Sequence, residues 1–222
     1  RWLPLHMIRA GMLDKAAATL ANEGFIHNRF KVMGPVAGTR QHILDAEGIM
    51  SQLQEHKSNP SCTISTTMTV TTARYKITLA FERVSDLLQD STHYYASDDE
   101  EDMDVVASLL ETVICLYALG QSLKQHHWRN EASLFFQQAL HTIANFLSDI
   151  ERDGGTPHYY RMMSRIHFSS GMVFEEKNDH VEATKSYTEA LQYAKSAAIS
   201  HDIARTYHML GKVHFARGDN ED

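Results

Sequence analysis

Apolar residues recur at intervals near 3.6 along most of the chain, and no segment alternates apolar and polar positions for long. That period is the signature of amphipathic helices rather than strands. It predicts helices over residues 3–10, 13–22, 38–55, 73–89, 104–126, 130–150, 158–176, 180–197 and 203–215. Within 130–150, Ala132, Phe135, Phe136, Ala139, Leu140, Ile143, Phe146, Leu147 and Ile150 make one continuous apolar stripe. Ahead of 158–176, Gly154-Gly155 breaks the chain, Thr156 can N-cap and Pro157 suits the first helical position. Residues 57–72 are rich in Ser and Thr and read as a linker, with a short strand at 68–71 as the alternative, because β-branched residues cluster there. The run Ser97-Asp98-Asp99-Glu100-Glu101-Asp102 reads as a solvated acidic loop before the next helix N-terminus. The same string would also fit an acidophilic kinase site at Ser97. Four segments follow: a helical arm (1–56), a linker (57–72), a bridging helix with its acidic loop (73–103) and a helical array (104–222).

The array contains a repeat. When Gly120 is aligned with Gly171, Ala132 falls on Ala183, Phe136 on Tyr187, Ala139 on Ala190 and Leu140 on Leu191. At ordinary residue frequencies, four fixed matches arise by chance in about one register in 10⁴. A third copy opens at Tyr207-His208-Met209-Leu210-Gly211 and is truncated before its second helix. Helix packing explains the spacing. Gly and the first Ala let the two helices of a hairpin approach closely, the aromatic fills space between hairpins, and the second Ala marks the approach of the next helix.

This pattern resembles the tetratricopeptide repeat (TPR), a helix–turn–helix of about 34 residues. Its spacings, 51 residues from Gly120 to Gly171 and 40 from Gly171 to Gly211, are longer, and the end-of-repeat proline is absent. Longer hairpins of this kind are similar to the TPRs of kinesin light chains, nephrocystin-type proteins and bacterial MalT-like regulators. The resemblance implies an all-α fold of antiparallel hairpins, stacked as a right-handed superhelix (an α-solenoid) with the first helix of each repeat lining a concave groove. In that register the groove positions are Tyr117, Gln121, Lys124 and Gln125, then Arg165, Phe168, Met172 and Glu175, then Arg205, His208 and Lys212. Mixed aromatic, amide and charged side chains suit a peptide or helix ligand. The plainer alternative leaves them solvated or covered by neighbouring helices. Lys124, Arg165, Arg205 and Lys212 would give an acidic segment a cationic stripe. The carboxylate clamp of chaperone-binding TPRs wants Lys and Asn where Tyr117 and Gln121 stand.

The arm carries a second resemblance. Leu3-Pro4-Leu5-His6-Met7-Ile8-Arg9-Ala10-Gly11, then Leu13-Asp14-Lys15-Ala16-Ala17-Ala18-Thr19-Leu20, then Phe25-Ile26-His27-Asn28-Arg29-Phe30-Lys31 resembles the helical segment after the NB-ARC ATPase of STAND proteins. Met33-Gly34-Pro35-Val36 and the helix at His42-Ile43-Leu44-Asp45 fit the same order over roughly 50 residues. It implies a nucleotide-binding switch upstream in a longer parent chain. Arg1-Trp2-Leu3-Pro4 and Arg217-Gly218-Asp219-Asn220-Glu221-Asp222 accordingly read as cuts within a longer polypeptide.

Composition narrows the function classes. The formal charge is −7, with no basic footprint for nucleic acid or an anionic membrane. No stretch reaches the ~20 apolar residues that span a bilayer. Cys62 and Cys115 form no C-x-x-C and no disulfide framework, which suits a reducing, cytoplasmic compartment. Residues 34–40 contain a Gly-Pro-x-x-Gly string but lack the Lys-Ser/Thr of a phosphate loop, so a turn before a helix is expected. The adjacent pair His126-His127 points to different faces of a helix end rather than to a metal, and no H-E-x-x-H occurs. Nothing resembles G-x-S-x-G. Tyr159-Tyr160 and Met162-Met163 sit at core spacing. The expectation is a non-catalytic scaffold or sensor arm without metal or cofactor, taking a protein or peptide ligand. The alternative is a MalT-like domain that senses a small molecule, which would need an apolar-lined cavity.

Overall fold

The computed structural model describes residues 3–58, 70–95, 102–144 and 157–218, and all regular structure among them is helical. The helices are α1 (Leu3–Arg9), α2 (Leu13–Leu20), α3 (Glu23–Met33), α4 (Pro35–Ser58), α5 (Val70–Tyr95), α6 (Asp102–Gln125), α7 (Arg129–Ala144), α8 (Pro157–Glu176), α9 (His180–Ser196) and α10 (Ser200–Arg217). None of them is long and apolar enough to cross a membrane. The chain forms two compact units, Arg1–Ser122 and Leu123–Asp222, described in turn below.

Several boundaries differ from those expected. α3 was not among the predicted helices, because its mixed polar composition gives no clear apolar stripe. Capping defines it instead: the Asn22 side chain accepts the Phe25 N–H at 2.9 Å. Gly34, at φ 78°, closes it with an N–H bond to the Phe30 carbonyl. Pro35 then opens α4 three residues earlier than expected, in the position where a missing N–H is harmless. Residues 34–40 are therefore a left-handed turn and the first turns of a helix. α5 includes Val70–Thr72, so this part of the expected linker, and of the alternative strand, is helical. Residues 59–69, 96–101 and 145–156 lie outside the described residues. With them lie the rest of the Ser/Thr-rich linker, Ser97 and most of the acidic run, the end of the 130–150 stripe and the Gly154-Gly155 break.

In the first unit, α2 packs against α1, α4 and α5, and α3 packs on α4. Leu13, Ala16, Ala17, Leu20, Ile49, Ile77 and Phe81 fill the middle. Gly38 is where α3 and α4 close up: a Cβ there would lie 2.6 Å from the Phe30 ring. Lys76 pairs with Asp14 at 3.0 Å and Arg83 with Glu23 at 3.4 Å, and Arg83 also donates to the Ala21 carbonyl at the end of α2.

In the second unit, α7 packs on α8, α8 on α9 and α9 on α10. The core holds the residues that the repeat pattern marks. Ala183, Tyr187 and Ala190 are fully buried with Phe168 and Val213. A Cβ on Gly171 would stand 2.6 Å from the Tyr187 ring, so this glycine is the seat of that ring. Three joints in this unit share one geometry. His127, Asn178 and Ala198 adopt positive φ of 60°, 60° and 53°. After each, an N–H reaches back five residues: Trp128 to Leu123, Asp179 to Phe174 and Ile199 to Ala194. This is the Schellman closure, which satisfies carbonyls left over at a helix end. His127 and Asn178 are 51 residues apart, the spacing of the two glycines.

Candidate functional site

Among the expected groove positions of the second unit, Lys124, Phe168, Met172, Glu175, Arg205 and Lys212 come together. Phe168 is buried, and the Arg205 guanidinium lies over its ring, 3.8 Å from the centroid. Half-buried Met172 lies one turn further along α8, and the Lys124 ammonium approaches its sulfur at 3.6 Å. The next turn presents Glu175. One of its oxygens accepts the Tyr187 hydroxyl at 3.0 Å, and the other pairs with Lys212 at 2.6 Å. These contacts gather Lys124, Phe168, Met172, Arg205, Glu175 and Lys212 into one cluster, in which Arg205 covers the Phe168 ring.

Electrostatics sharpen the picture. The Lys124 pKa is lowered from the ordinary lysine value, chiefly by burial; Glu176 pulls against the shift, and the nearby Arg205 charge adds to it. Glu176 is itself engaged by Arg129 at 2.8 Å and by His127 at 4.0 Å. Lys124 thus forms no ion pair among the described residues, and a second cation stands close by. The Tyr187 phenol is pushed well above its usual range by burial and then by Glu175, so it stays a donor to that carboxylate.

The remaining expected positions lie on the same three helices, α6, α8 and α10. Arg165 is half-buried on α8 and His208 is exposed on α10, while Gln125 is exposed at the end of α6. Tyr117 and Gln121, both half-buried, belong to the first unit. The neutralisation of Lys212 by Glu175 and the anchoring of Glu176 were missed from sequence. A hint existed in register: Glu175-Glu176 occupies the place that Lys124-Gln125 holds 51 residues earlier, a reversal of charge between copies.

His126 and His127 sit in the joint after α6. The His126 ring packs near Trp128, with centroids 6.2 Å apart, and His127 is the left-handed residue. Among the described residues no three His, Cys, Asp or Glu side chains gather as a metal site. Tyr159 and Met163 are buried in the core, where Tyr159, Tyr160 and Tyr193 pack edge and face, and His167 stacks on Tyr193 at 5.6 Å. Burial lowers the His167 pKa to about 4.

In the first unit, Arg29 and Asp45 form a buried ion pair at 2.7 Å, with Gln41 donating to the second Asp45 oxygen at 3.1 Å. Arg29 also lies over the Phe25 ring at 4.5 Å and donates to His42 Nδ1 at 3.2 Å. An arginine only donates, so that nitrogen is bare and the His42 proton sits on Nε2. Burial, then the Arg29 charge, lowers the His42 pKa to about 3. Cys115 is buried and carries no disulfide, its thiol pushed up to about 11 mainly by burial. A cavity of about 430 Å³ between α3 and α5 is lined by Glu23, Gly24, His27, Asn28, Arg83, Asp86 and Leu87.

Compared with protein-family models and with curated proteins, the sequence gives no match.

Proposed function

We propose that the chain is a non-catalytic, cytoplasmic interaction segment whose second unit is a TPR-like array binding an acidic, partly apolar peptide. The observation that carries this reading is Lys124. It is a half-buried ammonium beside a thioether and a second cation, without an ion-pair partner among the described residues. Burial and the neighbouring Arg205 disfavour its charge, a ligand anion beside it would favour it, and a perturbed titratable group is a general mark of a binding site. Half-buried Met172 beside Lys124 offers an apolar contact for side chains between the acids. The repeated glycine, alanine and aromatic positions and the matching joints support a TPR-like solenoid. The arm that resembles the STAND post-ATPase segment supports placing the chain in a larger signalling protein with a nucleotide switch upstream.

The test is charge reversal. Lys124→Glu with Arg205→Glu should weaken binding of a synthetic peptide alternating Glu and Leu by at least ~100-fold at low salt, and by less at about 300 mM salt, where exposed charges are screened. Unchanged affinity with an intact helical spectrum would place the interface elsewhere.

A further inference from the structure

The cations around Lys124 each face a carboxylate. Lys212 pairs with Glu175 at 2.6 Å, Arg205 lies 4.0 Å from Asp202, and Arg129 takes Glu176 at 2.8 Å. Lys124 instead meets the Met172 sulfur at 3.6 Å and forms no ion pair among the described residues. Phe168, which carries the Arg205 guanidinium 3.8 Å from its ring centroid, stands one turn before Met172 on α8. The amine and the guanidinium therefore lie beside the same stretch of helix. Such an amine is biased towards its uncharged form: burial lowers its pKa and the Arg205 charge adds to this, while Glu176, which opposes the shift, is shared with Arg129 and His127. An uncharged primary amine is a nucleophile. Beside it, Arg205 offers N–H donors in a fixed fork that matches a planar anion. The other lysines of the second unit, Lys177, Lys185, Lys195 and Lys212, are all exposed.

We propose that Lys124 is a carbamylation site, which takes carbon dioxide on its amine and holds the resulting carbamate against Arg205. The step balances with no other reagent. The Lys124 ammonium first releases one proton to solvent. The free Nζ lone pair then forms a bond to the carbon of carbon dioxide, as one C–O π bond passes its electrons to oxygen. A second proton leaves the nitrogen, and the product is a carbamate anion. The side chain thus changes from cation to anion, so the repulsion between Lys124 and Arg205 becomes an attraction. One consequence rests on the peptide-binding reading given above. There the carbamate replaces the cation that attracts an acidic segment, so dissolved carbon dioxide should release the peptide.

The test equilibrates the full chain with isotope-labelled carbon dioxide and bicarbonate at mildly alkaline pH. A trialkyloxonium salt then alkylates the carbamate oxygen and makes the adduct permanent, and digestion with mass spectrometry locates the label. It should sit on Lys124, well above Lys177, Lys185 and Lys195, and Lys124→Arg should remove it. Arg205→Gln should lower the occupancy about 10-fold, the scale of a lost hydrogen bond to a charged group. Met172→Glu, which gives the amine an acid partner by another route, should lower it as well, so the test does not depend on one variant keeping its helical spectrum. Label spread evenly over the lysines, or unchanged in both variants, would overturn the proposal. The Glu/Leu peptide should bind more weakly under carbon dioxide in the parent chain and not in Lys124→Arg. Label confined to Lys124 with unmoved peptide affinity would uphold the modification and contradict the peptide-binding reading.

Discussion

The two units fix their helices by different means. In the first, α3 and α4 are tied by a buried charge network, Arg29–Asp45 with His42 and Gln41, within an otherwise largely apolar core. In the second, α8, α9 and α10 are held by shape, with a ring against a glycine, alanines at close approach and joints of one geometry. A charge network specifies few partners but tolerates no loss of one. Shape complementarity spreads over many contacts and repeats along the chain, which suits a unit that presents a groove.

The largest expected effect lies in the first unit. Asp45→Ala leaves the Arg29 charge buried, and removing one partner of such a pair destabilises by about 3–5 kcal/mol. Urea unfolding followed in the first unit should show this loss. A change under about 1 kcal/mol would mean that α3 and α4 are held by apolar contact alone.

The same substitution at two glycines should act with opposite sign in the second unit. Gly171→Ala drives a methyl group into the Tyr187 ring and should destabilise by about 1–3 kcal/mol. Gly211→Ala meets nothing and should stabilise α10 by up to about 1 kcal/mol through helix propensity. Equal melting shifts for the two would break the assignment of Gly171 as the ring's seat.

Acid should weaken both units, over different windows. His42 and His167 have folded pKa values near 3 and 4, below the ordinary 6.5, so the unfolded chain binds their protons first. Stability is then fully present above about pH 6.5 and falls as pH drops, by on the order of 1 kcal/mol per pH unit for each group. The loss from His167 should be complete near pH 4, while that from His42 continues towards pH 3. His42→Asn should remove the lower part of the acid limb in denaturant titrations; an unaltered limb would assign the dependence to other groups.

The smallest effect concerns a joint. Ala198 holds φ 53° in a position that favours glycine, so Ala198→Gly should stabilise the second unit by about 0.5–1 kcal/mol. A lower melting temperature would show that the turn gains nothing from the freed backbone.

What could be read from sequence follows the same division. Gly171, Ala183, Tyr187 and Ala190 were legible because the pattern repeats, and the core places them together. The α3 helix was not, since Asn22 and Gly34 define its ends more clearly than any apolar stripe defines its body. Arg29 and Asp45 are 16 residues apart on different helices, and only the packing of α3 on α4 makes them partners. The cationic stripe was half legible. Lys124 and Arg205 stand close together, but Lys212 is neutralised by a carboxylate on another helix, a cancellation that no spacing reveals.

Lys124 itself offers the most direct test of the groove. Its ammonium, labelled and followed by NMR through alkaline pH in the full chain, should titrate below the ordinary lysine range, because burial and Arg205 disfavour the charge. A saturating amount of the Glu/Leu peptide should raise that pKa, since an anion beside it favours the charged form. An ordinary Lys124 titration that saturating peptide leaves unmoved would contradict the account.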